Sequence, residues 1–310
     1  MRRRFAIPLI AAVAVAPWLW FYPETPPATQ PAQLSSAVPV PKTADWVGGI
    51  SGIEVTDNGT AFFAVTDRGH LIQGTLTRAP NGSLTDVSLT ANRLLAQPAP
   101  KSEEVPRTDA EGLAQASDGT LFVSFEHAHR IMTLDRFDTE NPVEETHMAW
   151  NALPKNGGLE ALALQPDGTL IALPEAIARG ATQALVYRQR PGERWEQAFT
   201  LPVDRAFKPV GADFGPDGAF YLLERGLYPF GFYTRVRRMQ MTDNGVTGAE
   251  TVLHTPLFRH GNLEGLSVWQ DANGIIRLTM VVDDNFLPLA RGEIVEYALP
   301  VGVAPDGQGQ

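Results

Sequence analysis

Apolar and polar positions along this chain fall into short, β-rich runs separated by turn residues. The clearest unit is Asp109–Glu126. Glu111-Gly112-Leu113-Ala114 opens a strand, Ser117-Asp118-Gly119-Thr120 supplies an Asp-Gly turn, and Leu121-Phe122-Val123-Ser124-Phe125 returns to Glu126. A hairpin folds back on itself, so Glu111 and Glu126 finish on one side of the sheet. Four further copies follow this plan. Ser51-Gly52-Ile53 leads through Asn58-Gly59 to Asp67, and Glu160-Ala161-Leu162 through Asp167-Gly168 to Glu175. Val210-Gly211-Ala212 leads through Asp217-Gly218 to Glu224, and Glu264-Gly265-Leu266 through Asn273-Gly274 to Asp283 and Asp284. The turn glycines Gly59, Gly119, Gly168, Gly218 and Gly274 lie 60, 49, 50 and 56 residues apart. A period near fifty with several short strands per unit predicts an all-β propeller.

Each unit divides into four strands. The outer pairs are His70–Thr77 with Asp86–Leu95, Arg130–Arg136 with Val143–Trp150, Ala184–Gln189 with Trp195–Leu201, and Tyr233–Met241 with Val246–His254. The fifth unit has a third strand at Glu293–Leu299 and then runs out of chain, so Ser36–Trp46 is expected to complete it and close the ring. That gives five blades, or six if the longer first unit hides a degenerate copy. Tyr228-Pro229-Phe230-Gly231-Phe232-Tyr233 and Phe286-Leu287-Pro288-Leu289 read as loops overhanging one face.

The ends of the chain differ from this pattern. Met1-Arg2-Arg3-Arg4 precedes 18 uncharged, mostly apolar residues, Phe5 to Tyr22, which predicts a signal peptide or a membrane anchor over residues 1–22. Pro17 would hinder cleavage after Ala14-Val15-Ala16, and Trp18, Trp20 and Tyr22 suit an interfacial belt. The domain is therefore expected in the periplasm or outside the cell, with residues 5–22 as a membrane tether if uncleaved. Residues 23–44 read as a Pro/Ala-rich linker, 45–300 as the propeller and 301–310 as a flexible tail.

A hydrophobic content of 44% supplies an ample core, and the absence of cysteine excludes disulfides and thiolate metal sites. Without the three leading arginines, 22 basic residues face 35 acidic ones. Such a surface is unsuited to nucleic acid and suited to cations. A small-molecule or envelope ligand is the expected partner, and nothing in the sequence indicates an oligomeric state. No Gly-x-Ser-x-Gly elbow or phosphate-binding glycine loop occurs, and His127-Ala128-His129 offers only two of the ligands a zinc site needs.

Propeller blades place their first strands around the channel. The residues opening those strands (Ser51, Glu111, Glu160, Val210, Glu264) and closing the second ones (Asp67, Glu126, Glu175, Glu224, Asp283 or Asp284) are thus expected at one mouth, with Asp109, Asp213 and Asn262 nearby. Like charges so gathered repel unless a cation is present, and hard oxygen ligands suit Ca²⁺. The expected metal set is Glu111, Glu160, Glu264, Asp67, Glu126, Glu175, Glu224 and Asp283, with Glu111, Glu160 and Glu264 as the catalytic carboxylates. Val210 departs from the acidic pattern, so blade four is expected to contribute Asp213 or Glu224. Arg68, His127, Arg130 and Arg225 stand beside the acidic positions as candidates to hold an anionic substrate, and His129 and Arg179 lie close by in sequence. Surface ion pairing, and inheritance of acids from an ancestral repeat, would produce part of the same pattern.

These residues resemble the bacterial phytase-like family with esterase-like activity of phytase. The resemblance rests on Ser51-Gly52-Ile53 with Val65-Thr66-Asp67-Arg68-Gly69, on Asp109-Ala110-Glu111-Gly112-Leu113, and on Gly158-Leu159-Glu160-Ala161-Leu162. Asn262-Leu263-Glu264-Gly265-Leu266 and Val282-Asp283-Asp284-Asn285 also fit, so the likeness spans about residues 45 to 299. It implies an exported propeller whose recurring carboxylates support ester or phosphodiester hydrolysis. The arrangement also looks like calcium-dependent lactonase propellers, with a metal at the channel mouth. Two functions follow as expectations: a metal-assisted ester or phosphoester hydrolase, or a non-catalytic propeller that binds a ligand with calcium as a structural ion.

Overall fold

A computed structural model describes residues 32–95, 108–178, 181–228, 231–287 and 290–300. It is a five-bladed propeller of twenty strands in five antiparallel sheets of four. Blade one is β2 (Ile50–Thr56), β3 (Ala61–Thr66), β4 (His70–Arg78) and β5 (Leu84–Leu94), and blade two is β6 (Ala110–Gln115), β7 (Leu121–Phe125), β8 (Arg130–Leu134) and β9 (Val143–Glu145). Blade three is β10 (Leu159–Leu164), β11 (Leu170–Pro174), β12 (Gln183–Gln189) and β13 (Glu196–Pro202). Blade four is β14 (Lys208–Phe214), β15 (Phe220–Tyr228), β16 (Gly231–Thr242) and β17 (Gly245–His254). Blade five is β18 (Asn262–Gln270), β19 (Ile276–Asp283), β20 (Glu293–Leu299) and, outermost, β1 (Gln33–Pro39). The expected signal peptide or anchor, the tail and Arg179 lie outside the described residues.

Five apolar layers hold the blades together, one between each neighbouring pair. Leu223, Val236, Leu266 and Met280 join blades four and five, and Ile53, Phe62, Val281 and Ile294 join blades five and one. Burial between blades, on both faces of each sheet, explains why the inner strands read as continuous apolar runs. Two outer segments differ from expectation. The fourth strand of blade two stops at Glu145, and a 3₁₀ turn, Met148–Ala152, buries Trp150 against Tyr187 and Trp195 instead. The closing strand begins at Gln33 and ends at Pro39, so it draws on the Pro/Ala-rich stretch rather than on residues 40–46.

β1 pairs antiparallel with β20 and so ties the two ends of the domain together. A fully buried carboxylate, Glu296 on β20, anchors this closure. It takes a two-pronged ion pair from Arg78 of blade one at 2.8 and 2.9 Å and a hydrogen bond from Thr279 at 3.1 Å. Arg277 stands 3.5 Å from Glu296, pairs with Asp271 at 2.7 Å, and donates to Ser35 Oγ of the closing strand at 2.9 Å. Removing Glu296 leaves the Arg78 guanidinium charged and largely buried without its counter-ion, and breaking a buried pair in this way costs about 3–5 kcal/mol. Glu296→Ala is therefore expected to lower the unfolding free energy by about that amount in urea titration. Glu250→Ala, which breaks only a surface pair with Arg238, is expected to change it by about 0.5 kcal/mol or less. Equal effects would show that the closure does not depend on Glu296.

Candidate functional site

The five inner strands each carry a register shift near their start, in blade five one residue later than in blades one, three and four. Pairing skips Ser51 between Ile50 and Gly52, Glu160 between Leu159 and Ala161, Val210 between Pro209 and Gly211, and Gly265 between Glu264 and Leu266. In blade two the shift spans Glu111 and Gly112. A bulge re-aims a side chain and is common at barrel rims. Here it turns Glu111 and Glu160 toward the channel mouth. The glycine after the bulge has its own cause. A Cβ on Gly112 would stand 2.7 Å from Leu162 Cβ and 2.8 Å from the Glu160 carbonyl oxygen, so only glycine lets neighbouring inner strands approach so closely.

At this mouth lies a cavity of about 410 Å³ lined by Asp67, Asp109, Glu111, Glu126, Glu160, Glu175, Glu264 and Asp283. Lys208 and Arg225 are the cationic residues of that lining. The two halves of the mouth differ in how their charge is met. On the side of blades three to five, Arg225 Nη2 reaches Glu175 Oε1 at 2.5 Å, and its Nη1 donates to Glu264 and, at 2.7 Å, to Asn262 Oδ1. Lys208, paired across the sheet with Arg225, reaches the second Glu175 oxygen at 2.9 Å. Asn262 Nδ2 holds Glu264 at 2.8 Å and Asp283 at 3.2 Å.

On the side of blades one and two no lysine or arginine reaches the acids among the described residues. Asp67, Asp109 and Glu111 offer oxygens that all lie within 4.8 Å of one another. Ser51 Oγ donates to Asp67 at 2.5 Å, and His127 Nδ1 sits 2.6 Å from Asp109 Oδ2. Glu126, Asp109 and His127 form a second such group, but Glu126 Oε1 already accepts the Gly157 amide at 2.5 Å and the Gly158 amide as well. Burial holds Glu111 well above the usual carboxylate range, and Glu160, Glu264, Asp67 and Asp109 add to the shift. Burial likewise lifts Glu160, and then Glu175 does, against the pull of Arg225. It raises Asp67 to about 7, helped by Asp283.

Several expected members are elsewhere. Glu224 is not at the mouth: in cross-strand register Arg225, opposite Lys208, is the counterpart of Asp67, Glu126 and Glu175, and Glu224 lies one residue before it. Side chains alternate, and Arg225 takes the channel face while Glu224 turns away, fully buried between Arg235 and Arg237 at 2.8 and 2.7 Å. Arg130 lies 3.8 Å over the Phe125 ring and pairs with Glu144 at 2.9 Å, away from the cavity. Arg68 lies 3.4 Å over Phe286 and donates to the Asp45 carbonyl, so it holds two loops together. His129 bonds the Pro154 carbonyl. His127 meets the cavity through Asp109, and Asp284 turns to the Gly49 and Phe286 amides. Asp213 lies near the far ends of the inner strands, where it accepts from the Phe214 and Val268 amides beside buried Glu54. Of Tyr228 to Tyr233, expected as a loop, Tyr228, Gly231, Phe232 and Tyr233 are instead paired in the β15–β16 hairpin, and residues 229 and 230 lie outside the described residues. Lys208 was not among the expected site residues. Its role depends on the cross-strand register that sets it opposite Arg225.

The raised carboxyls set the pH response of the cation-free domain. Burial lifts Glu264 to about 8 and Asp213 to about 7, whereas unfolded carboxyls titrate near about 4. Between those limits the native state binds more protons than the unfolded one, so stability falls as pH rises. The urea midpoint in chelator is expected to drop steadily from pH 5 to pH 8 and to level off above that. A midpoint that stays flat or rises over this range would contradict the burial of uncompensated acid.

Comparison with known structures supports the fold. A sugar dehydrogenase from Streptomyces coelicolor, described as the PQQ-bound aldose sugar dehydrogenase, aligns over 89% of this chain and all of its own with TM-score 0.51 and 12% identity. An endo-arabinase from Bacteroides thetaiotaomicron aligns over 86% of this chain and 98% of its own with TM-score 0.50 and 10% identity. At such identities the likeness concerns architecture alone. No curated protein matches the chain in sequence. The family model described as "Phytase-like: Esterase-like activity of phytase" matches residues 45–286, which take in every carboxylate of the mouth. The chain belongs to this phytase-like family.

Proposed function

We propose that the mouth is a metal-assisted hydrolytic site for an ester or phosphoester. One observation carries this reading: three carboxylates from two blades converge within 4.8 Å with no lysine or arginine among the described residues to balance them, while the acids opposite are paired by Arg225 and Lys208. That donor set fits a hard divalent cation. All three residues offer oxygen, their mutual distances match one coordination sphere, and Ca²⁺ accepts several carboxylates in flexible geometry. Asp67, Asp109 and Glu111 would hold it, and the ion would supply Lewis-acid polarisation of the ester oxygen.

The chain's own residues account for the rest. No hydrogen bond from a described residue fixes the Glu160 carboxyl, and burial raises its proton affinity. It is suited to take a proton from an attacking water and return it to the leaving oxygen. The Lys208 side chain is half exposed and its Nζ keeps N–H donors beyond its bond to Glu175, so it can receive an anionic ester. Arg225 holds Glu175 and Glu264 in place. Side chains do not plug the cavity, which favours turnover over a purely structural ion. The basic start and apolar run of residues 1–22 support an exported setting.

Calcium and a chelator separate the elements of this reading. A hundredfold excess of calcium over Kd stabilises a binding-competent native state by about 2.7 kcal/mol. The melting temperature is expected to rise with calcium, and Glu111→Gln to abolish most of the rise, while Glu250→Gln keeps it. Glu160→Gln is expected to retain the calcium response and lose turnover of p-nitrophenyl esters or bis-p-nitrophenyl phosphate. A full calcium response in Glu111→Gln would remove the ion from this trio. A normal response with no chelator-sensitive turnover on either substrate class would leave the ion structural.

A further inference from the structure

We propose that the ester taken at this mouth carries one negative charge or none, together with an apolar substituent that lies against Leu227 and Phe232. The proposal rests on the hydrolytic reading of the mouth and names its substrate class. Two independent features support it.

The first is charge. Eight carboxylates line the cavity against Lys208 and Arg225, and both cations are already bound to Glu175 or Glu264. A divalent ion on Asp67, Asp109 and Glu111 still leaves acid in excess. Each phosphate of a polyphosphorylated ligand needs cationic donors of its own, and like charges brought together oppose binding. Lys208 and one ion can balance a single anionic group. A ligand with many phosphates would face more carboxylates than cations.

The second is the wall above Arg225. Residues two apart on a strand share a face, so the face that carries Arg225 into the cavity continues outward through Leu227. Leu227 pairs across the hairpin with Phe232, and both line the cavity. Leu227 is 73% exposed, an unusual place for an apolar side chain next to an acidic cleft. Phe258, 63% exposed and held at φ +65°, extends the same rim, because a Cβ on Gly231 would stand 2.5 Å from its ring. The rim is thus apolar where the floor is charged. It fits the alkyl or aryl part of an ester whose polar centre reaches the carboxylates.

Calorimetric binding to the calcium-loaded protein tests this without requiring turnover. Diethyl, dibutyl and dihexyl phosphate carry the same single charge and differ only in apolar length. Affinity is expected to rise along the series, by up to about fourfold per methylene that is fully buried. Inositol hexakisphosphate, with free calcium held constant, is expected to bind no more tightly than inorganic phosphate. Leu227→Ser and Phe232→Ser are each expected to flatten the dependence on chain length. Val143→Ser, at an exposed position on β9, is expected to keep it. Equal affinity along the series, an unchanged slope in both rim variants, or tighter binding of the hexakisphosphate would overturn the proposal. Those results would leave the hydrolytic reading intact if chelator-sensitive turnover persists, whereas absence of chelator-sensitive turnover together with a full calcium response in Glu111→Gln overturns the reading itself.

Discussion

Confinement of acid at the ring mouth is the constraint on which the rest of this structure depends. The carboxylates arrive on strands from separate blades, so none can move away from the others without disturbing its own sheet. Burial between blades denies them water, which lifts Glu111, Glu160, Asp67 and Glu264 above the ordinary carboxylate range. The fold must therefore hold a repulsive centre together from outside. The apolar layers between blades and the closure through Arg78, Glu296 and Arg277 supply that restraint.

The repulsion is relieved unevenly across the mouth. Arg225 and Lys208 neutralise the half formed by blades three to five through direct bonds to Glu175 and Glu264. Across from them, Asp67 takes a serine hydroxyl and Asp109 a histidine ring, and no lysine or arginine among the described residues reaches these two or Glu111. A half whose acids are paired by Arg225 and Lys208 and a half that no described lysine or arginine reaches face each other across one cavity. Glu160 accepts no hydrogen bond from a described residue, and burial raises its proton affinity. The apolar rim of Leu227 and Phe232 completes a gradient from charged floor to oily edge.

The propeller was legible in the sequence because its physical causes are local and repeated. Asp-Gly and Asn-Gly turns, apolar runs and a small residue after each opening position recur with every blade, and the missing strand at the C-terminal end pointed to closure by the other end. The acidic mouth was legible for the same reason, down to the bulge positions Glu111 and Glu160. What escaped depended on strand length and register, which a repeat does not show. Glu224 stands one residue before the position that Asp67, Glu126 and Glu175 hold in their blades; in register that position is Arg225, opposite Lys208, so alternation gives the channel face to Arg225 and turns Glu224 inside the sheet. Lys208 has no counterpart in the other units and becomes visible only through its pairing with Arg225. Arg68 and Arg130 stand next to mouth acids in sequence, yet aromatic faces capture them first. Trp150 reads as strand by composition, but its burial against two aromatic rings favours a 3₁₀ turn.

The central claim is that a cation belongs on Asp67, Asp109 and Glu111 and on no other group of the mouth. Anomalous diffraction from calcium-soaked crystals, recorded at long wavelength, tests it directly. The account predicts a peak bounded by oxygens of those three residues, at about 2.3–2.6 Å from each coordinating atom. A peak beside Glu175 and Arg225, or calcium-replete crystals with no peak at the mouth, would contradict it.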